Sequence, residues 1–135
     1  MAVWSFYDFA VGQSSLVESE LRSLVEESNF EDVKDRLDRI LLKLRVMEVP
    51  WPKTFCKPYK LPKKATEKLF EIRVDHLNVE YRFLSCFGPT QRAFTLLTVG
   101  TERDFKLASN VVTTARSRTH LIGPWRNIRE HKFNN

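Results

Sequence analysis

A chain of 135 residues with 42% hydrophobic content is long enough for one domain with an ordinary core, which excludes wholesale disorder. The net charge of +5 hides an asymmetry: residues 1–50 hold 6 Lys and Arg against 10 Asp and Glu (−4), and residues 51–135 hold 16 against 7 (+9). The basic second part points to a polyanionic partner, the plain alternative being a solvated basic surface.

No apolar run is long enough to cross a bilayer, and Met1–Asp8 lacks a basic stretch followed by an apolar one. The expectation is a cytoplasmic protein with no membrane partner. Cys56 and Cys86 show neither CxxC spacing nor a nearby histidine cluster, so two free thiols and no metal site are expected.

Val3 to Phe9 alternates and is aromatic, which predicts a short strand at a sheet edge. Ser15-x-x-Glu18 has the capping-box pattern that opens a helix, and Val17, Leu21, Leu24 and Val25 follow at helical spacing. Ser28-Asn29 interrupts, with Asn29 suited to cap a second helix. Phe30, Val33, Leu37, Ile40, Leu41 and Leu44 make one apolar stripe on that helix. The short break predicts a helical hairpin.

Pro50 to Lys64 follows, with four prolines that disfavour any regular element. Lys53, Lys57, Lys60, Lys63 and Lys64 are interleaved with Trp51, Phe55 and Tyr59. Lysines for phosphate beside aromatics for base stacking suit nucleic acid. Aromatics plugging the core while the lysines face water is the equal alternative.

Leu69–Val74, Val79–Phe87 and Ala93–Val99 are strand-length apolar runs separated by turn residues, a three-stranded antiparallel meander. Alternation puts Phe70, Ile72 and Val74 on one face with Val79, Tyr81 and Phe83, which predicts packing under the helical hairpin. Glu71, Arg73 and Arg82 fall on the opposite face, expected to be open, where arginines suit a phosphate-bearing ligand. The third strand is nearly all apolar and expected to be central. Thr101-x-x-Asp104 is a second capping-box candidate for a last helix with Leu107, Val111, Ala115 and Ile122 on its stripe, ended by Gly123-Pro124. A basic tail, 123–135, is either a free arm or a segment docked on the sheet.

The order strand, helix, helix, three strands, helix resembles the RelE superfamily of type II toxins, and the motifs resemble its phage-derived HigB-like branch. They read Lys57-Pro-Tyr-Lys60, Leu69-Phe-Glu-Ile-Arg73, Tyr81-Arg82, Leu96-Leu97, Val99-Gly-Thr-Glu-Arg103 and Ala115-Arg116. The resemblance implies an α+β fold over residues 1–122: a small antiparallel sheet packed against an N-terminal helical hairpin, with a C-terminal helix. It implies a ribosome-dependent messenger-RNA endoribonuclease that inhibits translation, uses no metal or other cofactor and is silenced by a cognate antitoxin. Its substrate would be messenger RNA in the ribosomal decoding site, cut by attack of the RNA 2′-hydroxyl on the adjacent phosphate. Carried over by motif, Arg82 is the phosphate clamp, Arg73 a second basic group and Arg103 the turn arginine. His120 is the histidine candidate for proton transfer, with His76 and His131 beside it. Lys57, Lys60, Lys63, Lys64 and Arg116 would guide the RNA. The turn departs from the paired lysines usual in the HigB branch, since Glu102 and Asp104 flank Arg103. A non-catalytic nucleic-acid-binding or phage host-takeover factor on the same fold is the alternative.

Overall fold

The computed structural model describes residues 3–48, 51, 55–101 and 108–134. The first strand, β1 (Ser5–Val11), turns through Gly12 into a two-residue strand, β2 (Ser14–Ser15). Ser15 then caps helix α1 (Leu16–Leu24): its Oγ accepts from the Glu18 amide at 3.0 Å. The reciprocal half of the box is not made, because the Glu18 carboxylate is taken by Arg22 at 3.2 Å and Arg129 at 3.4 Å. Helix α2 (Glu27–Arg45) starts earlier than the sequence suggests. Glu26 occupies the cap position without a side-chain bond, and Asn29 lies inside the first turn. Phe30, Val33, Leu37, Leu41 and Leu44 of its stripe are buried as expected, and Ile40 is partly buried.

After a two-residue strand, β3 (Lys57–Pro58), comes the meander: β4 (Phe70–His76), β5 (Val79–Phe87) and β6 (Ala93–Thr101). The three are antiparallel neighbours, with a register shift between Leu84 and Ser85. β6 is buried from Ala93 to Gly100 and lies between β1 and β5, so the apolar strand is central. β1 is not an edge. It runs parallel to β6 on one side, while β2 and the last strand, β7 (Ile128–Glu130), pair antiparallel with its other side. The sheet is therefore mixed, not antiparallel. A parallel neighbour requires a long crossover, and the helical pair with the first two meander strands supplies it.

Helix α3 (Ser109–Thr119) follows β6. Thr101 is the last residue of β6 and lies eight residues before α3, which Ala108 precedes without a side-chain cap. Asp104 and Leu107 fall outside the described residues. Consecutive strand residues point to opposite faces. Asp8 reaches α2 through His131, while the neighbouring Phe9 ring lies 4.6 Å below the Arg118 guanidinium of α3. The helical pair and α3 thus cover opposite faces. Of the 123–135 segment, residues 128–131 are docked: β7 extends the sheet and the His131 amide donates to the Phe6 carbonyl at 2.9 Å. Among the described residues, no helix is long and apolar enough to cross a membrane.

Candidate nucleic-acid interface

Arg73 and Arg82 are direct cross-strand partners between β4 and β5. Like charges in that position repel unless carboxylates intervene. Two do. Arg73 donates to Glu71 Oε1 from Nε at 3.0 Å and from Nη2 at 2.7 Å. Arg82 donates from Nε to Glu80 Oε1 at 2.7 Å and places Nη1 3.3 Å from Glu71 Oε2. Glu80 Oε1 also lies 3.8 Å from Arg73 Nε. Among the described residues these two arginines and two glutamates orient one another.

The face expected to be open is not open at Arg82. Its side chain is 8% exposed and that of Glu71 5%, whereas Arg73 is 37% exposed. Alternation assigns residues to faces but does not reveal which positions on a face are covered. Arg103 lies outside the described residues. Cys56, buried nearby, has its thiol pushed up to about 12 by burial and then by the Glu71 charge; burial does the same to Cys86. Both thiols are free and protonated, which removes them as nucleophiles.

The lysine-rich segment divides. Lys57 sits in β3 directly opposite Glu71, and Lys60, Lys63 and Lys64 are exposed. Lys53 lies outside the described residues. The aromatics turn inward: Trp51 is buried, 4.6 Å from Trp4 and 4.8 Å from Phe94, and Phe55 and Tyr59 pack against the core. Trp51 is therefore closed to base stacking, while Phe55 and Tyr59 are partly buried and Lys60, Lys63 and Lys64 face solvent.

Arg116 and His120 form a second group. Arg116 is paired with Glu67, whose carboxyl is held below its ordinary value by its own backbone amide and then by Arg116. His120, the C-cap of α3, lines a cleft of about 630 Å3 together with Glu67, Lys68, Phe70, Cys86 and Phe87. This cleft lies at the Phe70–Phe87 end of the hairpin. Arg73 is three residues further along β4, about 10 Å at the usual strand rise. The structure thus brings Arg73, Arg82 and Lys57 together and puts Arg116 and His120 elsewhere. His76 is held on α2, with Nε2 3.5 Å from Asn29 Oδ1 and 3.9 Å from Asp32 Oδ2.

The third histidine sits in a group that sequence reasoning missed. His131 Nδ1 is 2.6 Å from Asp8 Oδ1 and its Nε2 2.8 Å from Asp38 Oδ1. Both ring nitrogens face carboxylates, so both carry hydrogen and the ring is an imidazolium. It has no lone pair for a metal or for base catalysis. Lys34 Nζ donates to Asp38 Oδ2 and to the Lys132 carbonyl, each at 2.6 Å. Ser15 Oγ donates to Asp8 Oδ2 at 2.8 Å, and the Asn134 amide to Asp38 Oδ2 at 2.7 Å. Two carboxylates balance two cations in a buried cluster. Lys34 and Asp38, one turn apart beside the apolar stripe, were the visible half; nothing local ties His131 to them.

For His131, burial is the largest single effect and pulls its pKa down, but the bonds to Asp38 and Asp8 together prevail and leave it raised. For Asp38, burial pushes up, while His131, Lys34 and the Asn134 amide prevail and leave it lowered. A histidine raised in the folded state stabilises fully below its unfolded value, about 6.5, and that contribution disappears as pH rises through the folded value. The melting temperature is therefore expected to fall as pH is raised above 6.5, and this fall is expected to vanish in His131→Asn. An unchanged pH dependence in that variant would refute the assignment.

Among the described residues no cluster of three or more His, Cys, Asp and Glu is placed to hold a metal ion. Comparison with protein-family models, curated proteins and solved structures returned no match to this chain.

Proposed function

We propose that the chain is the toxin of a type II toxin–antitoxin pair of the RelE/HigB kind, an endoribonuclease that cuts messenger RNA on the ribosome. The observation that carries this reading is the Arg73–Arg82 pair, fixed by Glu71 and Glu80, with Lys57 across from Glu71. The order of the main elements, a strand, two helices, three antiparallel strands and a helix, supports a RelE-like arrangement. In such a reaction the RNA 2′-oxygen bonds to the adjacent phosphorus and the bond to the 5′-oxygen breaks. One proton leaves the 2′-hydroxyl and one reaches the departing 5′-oxygen. Arginine contributes by stabilising the phosphoryl oxygens, bidentately and always charged. Arg73, partly exposed, is the member that reaches substrate, and Arg82 holds the carboxylates that aim it.

A binding-only role is favoured by the histidines. His131 is committed to Asp8 and Asp38, His76 lies on α2, and His120 lines the other cleft. Inducing wild type and Arg73→Ala in a bacterial host, with primer extension on a reporter message, separates the two. Arrest with new message ends for wild type, and at least a tenfold loss for the variant, is the expected result. Soluble wild-type protein that neither arrests growth nor cuts would leave the binding role.

A further inference from the structure

We infer that the cleft between the end of α3 and the β4–β5 edge is a nucleobase subsite for single-stranded RNA, with the base against Phe87 and the phosphate facing Lys68 and His120. This rests on the RNA-directed reading above and adds a second contact region to it.

Phe87 is the reason to expect a base. It is 38% exposed, yet four other rings hold it: Phe70 at 4.8 Å, Phe94 at 4.9 Å, Trp51 at 5.1 Å and Trp4 at 5.3 Å. A ring so fixed pays little ordering entropy when a further aromatic joins it. The turn after it is fixed as well: the Gly88 amide donates to the Ala93 carbonyl at 2.8 Å, and Thr95 Oγ1 donates to the Gly88 carbonyl at 2.7 Å. The cleft, about 630 Å3, lies within the range of about 300–1,000 Å3 common for small-ligand sites.

The rim favours a phosphate. Glu67, the acid of the lining, is neutralised by Arg116. Cys86 in the wall is protonated. Lys68 carries the remaining fixed charge of the lining, His120 adds a donor, and exposed Lys63 and Lys64 continue the basic track along the chain. An aromatic floor beside a basic rim is how single strands are bound without sequence readout. An acidic peptide would use the rim but gain nothing specific from the ring.

Fluorescence anisotropy of the full chain with labelled hexa-adenylate, and with an abasic ribose-phosphate hexamer, tests this. Wild type is expected to prefer the hexa-adenylate, and Phe87→Leu to weaken it about tenfold or more while moving the abasic hexamer less than twofold. Since Phe87→Leu also perturbs packing, amide shifts of wild type with adenosine monophosphate give an independent reading, expected at Lys68, Phe87 and His120. Equal loss for both hexamers, no loss for either, no preference in wild type, or shifts confined elsewhere would each overturn the subsite. Neither measurement involves the ribosome, so the subsite can fail while growth arrest persists, and can stand where no message is cut.

Discussion

Asp38→Ala is expected to lower the unfolding free energy by about 3–5 kcal/mol, the usual result of removing one partner from a buried ion pair. Asp38 accepts from His131 at 2.8 Å, from Lys34 at 2.6 Å and from the Asn134 amide at 2.7 Å, and it is 3% exposed. Its loss leaves Lys34 and imidazolium His131 in the interior against Asp8 alone. For a domain whose total stability is about 5–15 kcal/mol, that is a large share. Urea denaturation measures it, with an unchanged slope showing that the loss lies in stability and not in compactness. Asp38→Ala with His131→Ala should cost less than the two single losses added, since the remaining Asp8 and Lys34 balance. A single-variant loss under 1 kcal/mol, or plain additivity, would show that the four groups do not act as one unit.

The second large effect is at Arg82. Were this side chain on an open face, Arg82→Ala would spare the fold and report on chemistry alone. The geometry reverses that expectation. Arg82 bonds Glu80 and faces Glu71, itself 5% exposed, and removing it strips a charged partner from a buried carboxylate at a cost of about 2–3 kcal/mol. Arg82→Lys keeps the charge but not the fork that spans two carboxylates, and should recover only part of the loss. Thermal melts of the two variants beside Arg73→Ala check this, with Arg73→Ala closest to wild type. An Arg82→Ala protein that melts with wild type would mean that Glu71 is satisfied without it. The choice of variant follows: loss of activity in Arg73→Ala speaks to substrate contact, while loss in Arg82→Ala mixes contact with folding.

What local pattern can express was legible. The α2 stripe from Phe30 to Leu44 follows from a period of 3.6, the Ser15 cap from its capping-box spacing, and the strands Val79–Phe87 and the nearly all-apolar, central Ala93–Val99 from their composition between turn residues. What depends on distant partners was not. Alternation in Val3–Phe9 marks a strand but says nothing of its neighbours, and β1 lies between β6 and β7. Glu71, Arg73 and Arg82 form one ion-paired group, as a shared face suggests, yet alternation alone does not tell that Glu71 and Arg82 are buried and Arg73 is not. Trp51, Phe55 and Tyr59 among lysines look the same whether they stack on bases or plug a core; only the ring contacts decide. Asp8 and His131 are 123 positions apart, beyond any local signal.

That separation also governs when the molecule can finish folding. β1 is made well before its neighbours β6 and β7, which lie some 90 and 120 residues later, and its buried carboxylate waits for His131. Contacts so remote must close the longest loops, which makes folding slow compared with a helical bundle of equal size. The contacts within α1 and α2 are local, while β1 lacks its β7 neighbour and Asp8 its His131 partner until residues 128–131 arrive. The arginine pair on β4 and β5 therefore stands in an incomplete sheet until β7 and His131 reach β1.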